Sequence, residues 1–353
     1  MKTLEVAKVG LTGTVASWEV INPDGSIAQA CYNPKNNLIL DVGLDMVGGY
    51  ASIPACFAYI ALGTGTSASN VLMTALEAET TYGATTRPPA SGYSAYDGIT
   101  LPAADADPFI VEYAIGIQTA VGKLNGTFTE LGFGPTSTKD ANLFSRFRIC
   151  DSEGTPTSVT VTSEQQLRVK YIIGIRFLPI VPTAYDFDIT GYGDDIGYTA
   201  GWQSLGYISI LLYLFGTLDG FYTFGQSVQI GYWKFLVKTV TTADITFSDL
   251  ITTRSYAAWA VLQVLTAGTG PTSPYYTRDA YTPGSYAQYL NIPFTTLESV
   301  GNIYGLQLFI NNYTGGGNYN SVLLWLCKFD DPIVKPDTHN LTFKLKFSWG
   351  RGS

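Results

Sequence analysis

The sequence is poor in charge: only 14% of its 353 residues are Asp, Glu, Lys or Arg, against ~25% in an ordinary soluble chain. It holds one His and three Met. Shortage of charge together with plentiful aromatics excludes intrinsic disorder. The sparse Glu and Lys argue against a helical bundle. No segment reaches the ~18–20 apolar residues of a membrane helix; the longest run, 207–215, has strand length and is broken by Ser209. No membrane partner is expected. The start, MKTLEVAKVG, lacks an apolar signal region, so a chain made and kept in the cytoplasm is expected. Neither half is basic and the net charge is −8, which leaves no electrostatic footprint for nucleic acid. Cys31, Cys56, Cys150 and Cys327 show no CxxC spacing and read as buried thiols.

What is present is Gly (37) and Tyr (24), with Thr, Ser, Val and Ile. That mixture suggests strands joined by tight turns. Mean hydropathy is +0.13, so much of the exterior is uncharged. Large areas covered by other subunits are expected, in a homo-oligomer, trimeric or hexameric.

The chain also echoes itself. Residues 130–150, ELGFGPTSTKDANLFSRFRIC, align without a gap on 307–327, QLFINNYTGGGNYNSVLLWLC, placing Cys150 on Cys327. An alternating segment follows each cysteine, LRVKYIIGIRF at 167–177 and LTFKLKFSWGR at 341–351. This is the period of a half-buried strand. It puts Leu167, Val169, Tyr171, Leu341, Phe343, Leu345 and Phe347 inside, and Arg168, Lys170, Lys344 and Lys346 outside. YIALGTGTSAS (59–69) matches VLTAGTGPTS (264–273). The expected fold is therefore all-β: two tandem β-sandwich, jelly-roll-like domains with a few short helices, divided as 1–180 and 181–353. The helices are expected at 36–49, capped near Asn37 and stopped at Gly48, at 69–79, capped by Ser69 or Asn70, and at 248–254. The segment 258–265 reads as strand by its alignment with 56–62.

Chemistry-bearing motifs are few. The sequence has no GxSxG, HExxH, Walker or GxGxxG pattern, and Gly63-Thr64-Gly65 lacks the Lys of a phosphate loop. His339 lies in DTHNLTF, a turn entering a strand, with no recognisable acid and Ser beside it. Asp186, Asp188, Asp194 and Asp195 cluster in YDFDITGYGDDIGY. They read as a solvated linker, or as oxygen ligands for a cation outside the EF-hand pattern. No cofactor is implied. Aromatics crowd two segments. Tyr213, Phe215, Phe221, Tyr222, Phe224, Tyr232, Trp233 and Phe235 read as core. Tyr275, Tyr276, Tyr281, Tyr286 and Tyr289 sit among Gly, Ser, Thr and Pro, the composition of adaptable binding surfaces, and read either as loop packing or as the candidate contacts for protein or glycan.

The segments NLILDVGLDMVGG, IALGTGTSA, NGTFTELGFGP, ANLFSRFRI and GTPTSVTVTSEQQLRVKYII resemble a domain of tailed-bacteriophage structural proteins of the tail-fibre and minor-tail kind. The resemblance spans about 36–180, with a weaker echo over 249–351. It implies a non-enzymatic virion component, assembled in the host cytoplasm, in the tail or fibre-attachment region, with other virion proteins as partners. Binding of a host-surface glycan is the alternative it implies. The heptad shaft and collagen-like run of long fibres are missing, which favours a compact assembly module.

Overall fold

The structure, a computed structural model, describes residues 4–34, 37–49, 56, 58–80, 87–88, 91–92, 98–100, 109–177, 185–188, 195–202, 234–240, 277–294, 301–313 and 319–352. In chain order the elements are β1 (Leu4–Ile21), β2 (Ile27–Tyr32), β3 (Asn37–Ile39), α1 (Asp41–Gly49), β4 (Tyr59–Gly63), β5 (Ser91–Gly92), β6 (Gly98–Thr100) and β7 (Phe109–Gln118). Then come β8 (Gly126–Phe128), β9 (Glu130–Gly134), β10 (Ser145–Arg148), β11 (Val159–Val161), β12 (Gln166–Phe177), β13 (Tyr185–Asp188) and β14 (Asp195–Trp202). The last are β15 (Lys234–Val240), β16 (Thr277–Arg278), β17 (Ala287–Phe294), β18 (Gly301–Tyr313), β19 (Tyr319–Lys335) and β20 (Leu341–Arg351). The all-β class is as the composition predicts.

The largest sheet runs β16-β17-β20-β1-β12-β7-β5, with β2 added to the end of β1 and β6 to β7. β12 lies antiparallel to β1, and β20 lies parallel to it on the other side. Strands from both sides of residue 180 thus share one sheet. The two alternating segments of the internal echo are neighbours of the same strand, in opposite senses. Cys150 lies beyond the end of β10, whereas Cys327 lies within β19, which is paired on both sides by β14 and β18. The expected segments 248–254, 258–265 and 264–273 fall outside the described residues.

One face of the large sheet packs on a second sheet, β3-β10-β9-β4. Between them lie Val9, Leu11, Val15, Val169, Tyr171 and Ile173 from one side and Ile39, Leu131, Phe133 and Phe147 from the other, all buried. The rings of Phe133 and Tyr171 meet at 4.5 Å. The alternation expected of the two terminal strands holds. Leu167, Val169, Tyr171, Leu341, Phe343, Leu345 and Phe347 are buried, while Arg168, Lys170, Lys344 and Lys346 are only half-buried. Phe343 stacks on Phe329, with centroids 6.0 Å apart. That contact ties the sheet β13-β14-β19-β18-β15 to β20.

Two helix expectations change. Within 36–49 the first three described residues, Asn37–Ile39, form β3 against β10, and the helix starts only at Asp41. Segment 69–79 is not helical. Asn70 closes a local turn by accepting the Leu72 N–H at 3.0 Å, and the N–H groups of Glu77 and Ala78 donate to the buried Glu130 carboxylate. Those donors are thereby withdrawn from a helix ladder. α1 is the single α-helix among the described residues, and none there is long and apolar enough to cross a membrane.

Candidate functional site

The densest polar construction lies under the loop that follows β4. Glu130, first residue of β9, is fully buried. Its Oε1 accepts the N–H groups of Gly65 (3.1 Å) and Ala78 (2.9 Å), and its Oε2 accepts that of Glu77 (3.2 Å). Arg146 on β10, also fully buried, donates to Oε2 through Nε at 2.9 Å, and its Nη2 lies 2.7 Å from the same oxygen. The rest of that guanidinium reaches the Ser67 carbonyl, the Ser69 hydroxyl and the Met73 sulfur. Gly63 and Gly65 are demanded by this approach, because a Cβ on either would collide with the Glu130 carboxylate. The Gly-Thr-Gly turn is therefore a lid nailed down by a carboxylate. Glu77 holds its outer side. The N–H and hydroxyl of Ser67, with the N–H of Thr66, keep the Glu77 carboxyl below its usual range.

A second buried pair repeats the device. Glu79 and Arg87, each with a 1% exposed side chain, meet at 2.7 and 2.9 Å. Arg87 also donates to the Ala141 carbonyl at 2.7 Å, and Glu79 accepts the Asp140 N–H at 3.0 Å. A charge pair so hydrogen-bonded is costly to break from one side only. Both pairs fix loops to the small sheet.

A cleft of about 370 Å³ opens beside this construction, between β3, the end of β10 and the loop. Asn37, Leu38, Ala68, Ser69, Arg148, Cys150 and Pro156 line it. Its size is at the lower end for small-molecule sites, roughly 300–1,000 Å³. Arg148 stands directly across from Glu130 in the β9–β10 register. Yet Glu130 is occupied by Arg146 and three backbone N–H groups, and the side chain of Arg148 makes no ion pair or hydrogen bond among the described residues. Asn37 donates from Nδ2 to the Tyr171 hydroxyl at 3.3 Å, while its buried Oδ1 has no partner. The Cys150 thiol donates to the Arg148 carbonyl at 3.2 Å.

The tyrosines singled out from sequence are placed as follows. Tyr275 and Tyr276 lie outside the described residues. Tyr281 is half-buried. Its hydroxyl donates to Asp45 of α1 at 2.6 Å, and its ring stacks on Trp349 at 5.7 Å. Burial, reinforced by the Asp45 carboxylate, raises its pKa. Tyr286, held at φ 45°, is half-buried too and packs against the core, and its carbonyl accepts the Trp349 backbone N–H. Tyr289 lies under the Lys344 ammonium, 4.7 Å from its ring centre. The first two therefore seat α1 on the last strand. Asp186 and Asp188 lie on β13, with Asp188 opposite Asp195 across the β13–β14 pair, and Asp194 is outside the described residues. Among the described residues no group of three or more His, Cys, Asp or Glu converges to hold a metal. His339 closes an exposed turn, its N–H donating to the Pro336 carbonyl at 3.3 Å. Of the first aromatic cluster, Phe235 falls on β15 and the others lie outside the described residues.

Sequence reasoning gave Asn37 and Ser69 only as helix caps and assigned no role to Arg148. The signal available was the Arg-x-Arg of β10: two cations on one strand face with a single glutamate opposite.

Comparison with protein-family models, with curated proteins and with solved structures finds no match to this chain.

Proposed function

We propose that the chain is a non-enzymatic structural component of a tailed-bacteriophage virion, an assembly module of the tail or fibre-attachment region that works as a homo-oligomer. The observation that carries this reading is β2. Among the described residues it is a short strand whose ladder runs to β1 alone, with Gln29 reaching the backbone of Ser158 and Thr160, and it exposes Ile27 (50%) and Tyr32 (53%). An open edge carrying apolar side chains is the kind of surface that association covers. The pinned loops fit the same role, because a part that must present one shape to its neighbours gains from loops with no freedom. The phage-like segments at 36–180 supply the virion context. Native mass measurement of the purified chain, with a map of the particle, tests the proposal. A trimer or hexamer in solution and matching threefold or sixfold density are expected, and Ile27→Lys with Tyr32→Lys should shift the mass towards monomer. A stable monomer at micromolar concentration that is missing from particles would overturn it.

A further inference from the structure

We propose that the cleft at Arg148 is a binding site for a small hydroxylated carboxylate, a sugar acid of uronate type. This stands independently of the assembly reading. Four of the arginines with described side chains have carboxylate partners: Arg87 with Glu79, Arg146 with Glu130, Arg168 with Glu19 and Arg351 with Asp41. Arg148 lines an open cleft and is half-buried, and the glutamate facing it in register is saturated by other donors. A half-buried arginine whose guanidinium meets no carboxylate among the described residues favours an anion from outside, and its planar fork matches a carboxylate bidentately. Asp151, close by in sequence, uses Oδ1 to hold its own turn through the N–H groups of Glu153 and Thr155.

The other walls select what is attached to the carboxylate. Asn37 lines the cleft, but its Nδ2 is engaged by Tyr171 and its Oδ1 is shielded from solvent, so the polar contact to the ring falls to Ser69. The Ser69 hydroxyl accepts from Arg146 at 3.4 Å, so its own proton is free to be donated. Leu38, Ala68 and Pro156 complete the lining and offer an apolar wall to the C–H face of a sugar ring. The volume suits one such residue better than a peptide, which would need an extended groove or a strand edge. Anion, hydroxyl and flat apolar face together describe a sugar acid.

The test is titration of the full-length chain with D-galacturonate and D-glucuronate, followed by amide NMR shifts and calorimetry. D-galactose, methyl galacturonate and a short acidic peptide serve as comparisons. At least one uronate is expected to bind, shifting the amides of Asn37, Ser69 and Cys150. The neutral sugar and the ester should bind at least tenfold more weakly. Arg148→Gln should weaken uronate binding at least tenfold, Arg148→Lys less. Ala68→Leu, which fills the cleft from an exposed position, should abolish it with melting unchanged. Absence of uronate binding, equal binding of the ester, indifference to Arg148→Gln in a folded variant, or preference for the acidic peptide would each overturn the proposal. The ester comparison needs no variant, so a variant that fails to fold does not rescue it.

Discussion

Glu130 and Arg146 show how much depends on a partner at the level of single residues. Neither side chain touches water. Removing one leaves the other charge buried and unpaired, which costs about 3–5 kcal/mol. Glu130→Leu is therefore expected to lower stability in urea titration by at least that much, since three backbone N–H groups also lose their acceptor. Glu130→Leu with Arg146→Met should be milder than Glu130→Leu alone. A double variant as unstable as the single would show that the arginine's isolation is not the cause. Two buried neutral groups contribute to the alkaline limit. Burial pushes the Tyr171 hydroxyl from 10.0 up to about 12, against the opposing hydrogen bonds of Ser145 and Asn37, and the Cys56 thiol from 9.0 to about 12. Folded values above the unfolded ones mean that the stabilisation is complete below about pH 9–10 and is lost as pH rises towards 12. The melting temperature should fall across that window, and more gently in Tyr171→Phe with Cys56→Ala. The inward faces at 167–175 and 341–349 were legible, because period-2 alternation needs no knowledge of the partner strand. The different fates of Arg146 and Arg148 were not legible. They turn on which of two equivalent cations captures one glutamate, a question of three-dimensional distance.

Among the elements, α1 shows where local pattern stops being informative. Its apolar spacing was visible, but its start was not, because Asn37–Ile39 gains more from adding to β10 than from extending the helix. The helix is then clamped. The Trp349 indole N–H donates to the Leu44 carbonyl at 2.8 Å, Arg351 donates to the Ile39 carbonyl at 2.7 Å and pairs with Asp41, and Tyr281 and the Gly284 N–H both donate to Asp45. Gly43 is where the helix crosses the chain at Phe144: a Cβ there would strike the Phe144 carbonyl oxygen and lie 2.9 Å from its Cα. Alanine ordinarily favours a helix over glycine by about 1 kcal/mol. Here overpacking of about 1–3 kcal/mol opposes it, and the neighbour is backbone, which yields poorly. Gly43→Ala is expected to lower the melting temperature and to raise hydrogen exchange in α1. A stabilised variant would mean that the helix rides clear of Phe144. The same limit explains segment 69–79, whose helix-like composition lost to a carboxylate fifty residues away.

For the whole molecule the decisive feature is the position of β20. It supplies the partner of β1 over Leu4–Leu11, the partner of β17 over Ala287–Phe294, and the side chains that clamp α1. The strand itself was legible from its alternation. Its place beside the first strand was not, because pairing between distant segments leaves no periodicity in either. Deleting residues 341–353 is therefore expected to damage the first half of the chain as well as the second. Hydrogen exchange should rise at β1 over Leu4–Leu11 and in α1, and melting should lose cooperativity. Unchanged protection at those amides would place the stability of β1 in its pairing with β12 alone.

The parallel pairing of β1 with β20 also sets a timetable. Leu4 meets Leu345, more than three hundred residues later in the chain. At about 5–20 residues per second, the ribosome needs tens of seconds to deliver the second strand after the first has emerged. Throughout that interval one side of β1 is an uncovered strand edge bearing Leu4, Val9 and Leu11, in a cell filling with identical nascent chains. Contacts so remote in sequence also form slowly once both partners exist. Yield of native protein should thus depend on expression rate and temperature more steeply than equilibrium stability would suggest, with slow, cool synthesis favouring the correct partner over a neighbouring copy.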